Sequence, residues 1–295
     1  MNFELTEEQR LFQDAVGAFA RDHLAEGALE RAHAGEYPRD VAKLMAENGL
    51  LGITIAEQDG GQGGSLMDAV IAIQEVAMHC PRSADVIQAG SFGAIRVLAA
   101  YGTPDQKERY LKPLLAGETL IAVGMTEPDA GSAVTELRTT ATPDGEGLRI
   151  NGQKCFTSHS PEADVFLVYV RFGPGVGGIG SVLIPRDAEG LEFGKPTPFL
   201  GGDDWAPMFF TDLYVPPENI LLREGGFKKQ IAGFNVERIG NTARSLALGR
   251  LAFETAKEHA SSSAGPWPSS RACNGSSRKC RSSSTPGNCC CTARR

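Results

Sequence analysis

Apolar positions in the first third of the chain recur with the period of a helix. Leu11, Phe12, Val16, Phe19 and Ala20 fall on one helical face. Thr6-Glu7-Glu8-Gln9 stands before them as a capping box, in which hydroxyl and amide each satisfy an orphan group at the helix start. A second helix is predicted from about Asp40 to Glu47, stopping at Gly49. Thr103-Pro104-Asp105-Gln106 opens another, with an N-cap, a proline at the first helical position and a carboxylate near the positive end of the dipole. Leu111, Leu114 and Leu115 give it an apolar face, and Gly117 ends it.

After residue 120 the period changes. Residues 148–150, 165–170, 181–184 and 208–214 are β-rich runs separated by Gly, Pro or Asp clusters. No long helical stretch intervenes, which predicts an antiparallel barrel or sandwich and not a βαβ sheet. Residues 227–260 return to helix: Ile231, Phe234, Ala243, Leu246 and Leu251 are mostly three to five apart, and their face needs partner helices. The predicted class is α+β. A helical domain spans 1–119, a central antiparallel β-barrel-like domain 120–225, and the first helix of an incomplete C-terminal bundle 226–260.

Composition splits the chain once more. Residues 261–295 contain no Leu, Ile, Val, Met or Phe, but ten Ser, five of the seven Cys, and six basic side chains with no acid. Such a segment cannot build a core. The overall charge is −7, so the first 260 residues carry −13. An acidic body argues against nucleic acid as a partner, because phosphate binding needs clustered Lys and Arg. No apolar run approaches the length of a membrane span. The acidic start, MNFELTEEQR, does not read as a signal peptide. Only Cys80 and Cys155 lie in the body, which fits a reducing cytoplasm.

Candidate chemistry begins with glycines. Gly175-Val176-Gly177-Gly178-Ile179-Gly180 matches G-x-G-x-x-G, and an NAD-binding reductase is one reading of it. That reading needs a helix to open at the third glycine. Ser181-Val182-Leu183-Ile184-Pro185 follows and reads as a strand, which favours a hairpin turn. Asp59-Gly60-Gly61-Gln62-Gly63-Gly64 lacks the Lys-Ser/Thr of a P-loop. The five His show no ligand spacing, and neither Ser158 nor Ser160 lies in a nucleophile elbow, so no metal site and no hydrolase triad is expected. Met125-Thr126-Glu127-Pro128-Asp129-Ala130-Gly131-Ser132 follows an apolar run. Its turn exposes backbone N–H groups and hydroxyls, a surface suited to an anion such as a pyrophosphate, or simply an ordinary polar turn.

With Thr126 to Ser132 reading T-E-P-D-A-G-S, the chain resembles the acyl-CoA dehydrogenase family. The resemblance continues in Leu5-Thr6-Glu7-Glu8-Gln9, in Gly49-Leu50-Leu51-Gly52-Ile53 with the glycine cluster after it, and in Tyr101-Gly102-Thr103-Pro104-Asp105-Gln106-Lys107. Asn151-Gly152-Gln153-Lys154 and Val215-Pro216-Pro217-Glu218-Asn219 complete it, in family order, over residues 3 to about 260. It implies FAD at the junction of the domains and a homotetramer or dimer. The implied reaction is α,β-desaturation of an acyl-CoA thioester, with electrons passed on to an electron-transferring flavoprotein. By position, Val123, Met125 and Thr126 would line the flavin, and Gly131 and Ser132 would contact it, with Ser132 also near the CoA. Phe156 stands where the family usually has Trp, and Ser158 where it usually has Thr. Asn235 and Arg238 occupy the places of the family's CoA-contacting Asp and Arg. Glu237 is either a helix-surface acid or the base, which in some branches sits at this position.

The tail has a reading of its own. A family-like helical peptide beginning QFGRALAEFQ, coded with GC-rich codons and read one base late, yields residues 262–294. This suggests a frameshift near residues 258–262. On that reading the chain lacks most of its bundle, holds FAD weakly and has little activity. A basic tail that binds polyanions is the remaining alternative.

Overall fold

The computed structural model describes residues 4–199 and 201–262. Eight helices come first: α1 (Glu7–His23), α2 (Ala28–His33), α3 (Arg39–Glu47), α4 (Leu66–His79), α5 (Pro81–Ser91), α6 (Ala94–Tyr101), α7 (Pro104–Gln106) and α8 (Lys112–Leu115). A π-helical turn over Lys107–Leu111 joins the last two. Both expected capping boxes form, Thr6 with Gln9 and Thr103 with Gln106. A third, Ser65 with Asp68, starts α4. α4 is the hub of this layer, with Ala69, Val70, Ile71, Ala72, Ile73, Val76 and Ala77 all buried. A helix apolar on nearly every side belongs in the middle of a bundle.

Ten strands follow: β1 (Ile121–Gly124), β2 (Thr140–Asp144), β3 (Gly147–Lys154), β4 (Val165–Arg171), β5 (Ile179–Pro185), β6 (Leu191–Phe193), β7 (Thr197–Pro198), β8 (Asp204–Trp205), β9 (Met208–Val215) and β10 (Ile220–Leu222). The main sheet runs β10-β5-β4-β2-β3-β9-β6. It is antiparallel except along one edge of β4, where β1 pairs in parallel over Val165–Val168 and β2 touches Arg171. β4 and β5 are buried on both faces. Tyr169, Leu167 and Val165 point to the helices with Ile121 and Leu137, while Phe166, Val168 and Val170 join a separate core with Ile150, Met208 and Leu213.

Gly175 to Gly178 lie in the connection between β4 and β5, two antiparallel neighbours, and Ile179 and Gly180 open β5. A strand and not a helix follows the connection, and a Cβ on Gly178 would lie 2.1 Å from the Gly173 carbonyl oxygen. No helix N-terminus faces a pyrophosphate there, so the NAD-binding alternative is corrected: these glycines close a hairpin.

α9 (Phe227–Ser262) is one continuous helix of 36 residues. It packs Ala243 and Ala247 into the helical core beside α4 and α5. The segment with the suspected shifted frame lies outside the described residues beyond Ser262. No helix among the described residues is long and apolar enough to cross a membrane.

Candidate active site

Two chain segments are stitched together where the sheet meets the helices. Glu127 does most of the stitching. Its Oε2 accepts the Arg138 N–H (2.6 Å), and its Oε1 accepts the N–H and hydroxyl of Thr139 (2.9 and 2.6 Å) and the Lys154 ammonium (2.7 Å). Lys154 also donates to the Met125 carbonyl (3.2 Å), and Cys155 N–H donates to the Thr126 carbonyl (2.9 Å). Burial pushes Lys154 down to about 8 against the pull of Glu127. Glu127 is itself held below its usual range: its burial opposes this, but Lys154 and Thr139 outweigh it. Glu127 is thus the structural acid of its motif. It keeps the segment 123–126 alongside 155–158.

The second segment is strained. Phe156 and His159 both have positive φ, 56° and 59°. Non-glycine residues adopt this region rarely, and such strain concentrates at functional sites. Phe156 is 58% exposed. Its ring centroid lies 4.5 Å from that of Trp205, which in turn stacks on Phe199.

A cavity of about 340 Å³ opens beside this platform. Val123, Met125, Thr126, Phe156, Ser158 and Glu237 all line it. Sequence positions 123 to 237 are therefore brought to one site by β1, the 155–158 segment and α9. The other four expected residues are elsewhere. Gly131 and Ser132 lie on an exposed turn after β1. Asn235 and Arg238 are exposed on another face of α9, where Arg238 donates to the Asn235 side-chain oxygen (2.9 Å).

Glu237 faces the cavity from α9. Burial raises its pKa, the Asp85 charge adds to that, and the hydrogen bond from the Gln88 amide to its Oε1 works against it. Gly93 faces it from the α5–α6 junction with φ at +63°, and a Cβ there would lie 3.1 Å from Oε2. The site thus holds a carboxylate of raised basicity next to an exposed aromatic face and two hydroxyls, Thr126 and Ser158. That set suits a planar ring with polar edges: an apolar face to stack on, and donors for its heteroatoms.

Several wall residues escaped sequence reasoning. His159 Nε2 lies 3.0 Å from Asp85 Oδ2, and Arg244 donates to Asp85 Oδ1. Burial pushes the Asp85 carboxyl up, but His159 and Arg244 prevail and hold it down at about 2. Asp85, His159 and Asp203 place ligand atoms within 4.8 Å of one another. Arg244 pairs with Asp85 and Arg82 with Asp203, so the carboxylate charge is balanced by arginines. The one sequence signal for this wall was the polar spacing of Gln230, Glu237, Asn241 and Arg244, seven, four and three apart on α9, which puts them on one face.

The family's N-terminal domain model matches residues 6–118, and its middle domain model residues 122–213. The chain belongs to the acyl-CoA dehydrogenase family. It is similar to the short-chain-specific acyl-CoA dehydrogenase of Clostridium acetobutylicum, with 31% identity over 264 residues, 88% of this chain and 70% of that enzyme. Among solved structures, butyryl-CoA dehydrogenase from Megasphaera elsdenii superposes with a TM-score of 0.88 at 27% identity, over 97% of this chain and 78% of that one. PigA, solved with FAD and proline, gives a TM-score of 0.82 at 26% identity, over 88% of this chain and 70% of its own. In this member of the family the aromatic platform is Phe156 backed by Trp205, and the cavity wall carries the ionic cluster of Asp85, His159 and Arg244.

Proposed function

We propose that the chain acts on an acyl-CoA thioester by FAD-dependent α,β-desaturation, with Glu237 as the base. The observation that supports this most is convergence. Six residues assigned to flavin or base by position line one cavity, and the carboxylate among them is desolvated.

Bound FAD would supply the acceptor for the hydride that leaves the β-carbon. The chain's own residues do the rest. Val123 and Met125 give an apolar surface, Phe156 an aromatic face, and Thr126 and Ser158 hydroxyls for the ring edge. Phe92, Ala94 and Val97 keep water from the acyl group. A carboxylate in such surroundings binds a proton more tightly than one in water, which suits removal of a weakly acidic α-proton. Gln88 fixes its rotamer, and Gly93 leaves room for Oε2. The exposed turn with Gly131 and Ser132, and Asn235 with Arg238 on α9, would serve the polar parts of FAD and CoA. The proposal retains a helical domain at 1–119, a β domain at 120–225 and a bundle helix from 226. It also retains a homo-oligomer, an electron-transferring flavoprotein as acceptor, and a cytoplasmic setting.

The test is reconstitution with excess FAD, then anaerobic mixing with straight-chain acyl-CoAs. The flavin absorbance should bleach with at least one of them. Glu237→Gln should slow bleaching about 10²–10⁴-fold, the usual range for a lost general base. No bleaching by any acyl-CoA, with FAD bound, would overturn the reading.

A further inference from the structure

The face that α9 turns to the cavity is polar where a core helix is normally apolar. Gln230, Gly233, Glu237, Asn241 and Arg244 line it, at steps of three, four, four and three. Gln230 lies seven residues before Glu237, about 10 Å along the axis, and Arg244 seven residues after it. The two ends differ. The Arg244 side chain is 26% exposed and is held by Asp85. Gln230 is 0% exposed, and neither its Oε1 nor its Nε2 has a hydrogen-bond partner. Gln88, 4% exposed, is in a similar state: its amide nitrogen is used by Glu237 and Asn241, and its Oε1 is unpaired. Buried polar groups are nearly always paired, and leaving one orphaned is costly. A simple hydrocarbon chain in this cavity would leave all three atoms orphaned.

We propose that the acyl group carries an uncharged hydroxyl-class substituent at the end remote from the thioester, bonded by Gln230 in the enclosed part of the cavity. A hydroxyl both donates and accepts, which matches the Gln230 amide, whose oxygen lacks a donor and whose nitrogen lacks an acceptor. A carboxylate does not match. Among the described residues Arg244 is the only Lys or Arg lining the cavity, and it is committed to Asp85; Arg82 likewise offsets Asp203, which leaves Glu237 as the uncompensated charge on the wall. This inference rests on the acyl-CoA reading and adds the substrate class to it.

The experiment measures binding by calorimetry to the full chain loaded with FAD, in a Glu237→Gln background that stops proton removal. The probes are butyryl-, hexanoyl- and octanoyl-CoA and their terminally hydroxylated counterparts. At one chain length the hydroxylated form should bind at least tenfold tighter than the plain one. Gln230→Leu should abolish or reverse that preference, because the discrimination comes from the pocket's own unpaired group. Gln230→Glu, which keeps the size and acceptors but adds charge, reports whether the folded pocket survives substitution. It should retain part of the preference for hydroxyl. Equal binding of both series in the unsubstituted pocket, or the same preference in Gln230→Leu, overturns the proposal while leaving acyl-CoA as the ligand. Binding of neither series overturns the acyl-CoA reading with it.

Discussion

Glu127 and Lys154 form an ion pair whose two halves are not equivalent, and that asymmetry can be measured. Their side chains are 7% and 0% exposed, at 2.7 Å. Removing one partner of a buried pair typically costs about 3–5 kcal/mol, because a charge is left uncompensated. In Glu127→Gln the Lys154 ammonium keeps only the Met125 carbonyl and an amide oxygen. The full cost of about 3–5 kcal/mol is expected, a large share of the 5–15 kcal/mol that usually holds a protein folded. In Lys154→Met the carboxylate still accepts from Arg138 N–H, Thr139 N–H and the Thr139 hydroxyl. Bonds to a charged acceptor are worth about 1.5–3 kcal/mol each, so the loss should be smaller, about 1–3 kcal/mol. Urea unfolding at pH 7, followed by circular dichroism, reads both values. Raising the pH should ease the Glu127→Gln defect, since an unpaired buried lysine sheds its proton. A Lys154→Met loss equal to or larger than that of Glu127→Gln would refute the reasoning.

Three further outcomes follow from the same geometry. Asp85 is held at about 2 against an ordinary 3.8, so its depressed pKa adds roughly 2 kcal/mol of stability above pH 4 that is lost as the pH falls through about 2; Asp85→Asn should flatten the acid limb of a urea-midpoint profile, and an unchanged limb would contradict the clamp. Gly93→Ala places a Cβ at a left-handed φ and 3.1 Å from Glu237 Oε2, and should slow flavin bleaching about tenfold or more while costing about 1–2 kcal/mol of stability; an unchanged rate would show that Gly93 does not set the carboxylate. Sequencing the DNA around codons 255–295 should reveal a QFG-type helix in the alternative frame, and a chain expressed in that frame should retain FAD more tightly; no such helix in any frame ends that idea.

The sequence carried the local decisions well. Capping boxes at Thr6 and Thr103, the change of period near 120 and the return to helix at 227 are short-range signals, and each appears where expected. Six of the residues singled out by motif line one cavity. Pairings between distant parts of the chain were not readable. His159 reaches back 74 positions and Arg244 159 positions to Asp85, and no local periodicity encodes such a meeting. The parallel β1–β4 pairing is equally non-local. The exposed placement of Gly131, Ser132, Asn235 and Arg238 follows from turn and helix geometry that motif matching ignores.

Proton removal at the α-carbon is the step on which the account stands. It can be read without following the flavin, by incubating the FAD-loaded chain with an acyl-CoA in D₂O and measuring deuterium at the α-carbon by mass spectrometry. Incorporation by the wild-type chain that falls at least a hundredfold in Glu237→Gln is the predicted result. Equal incorporation in both would place the base elsewhere and contradict the account.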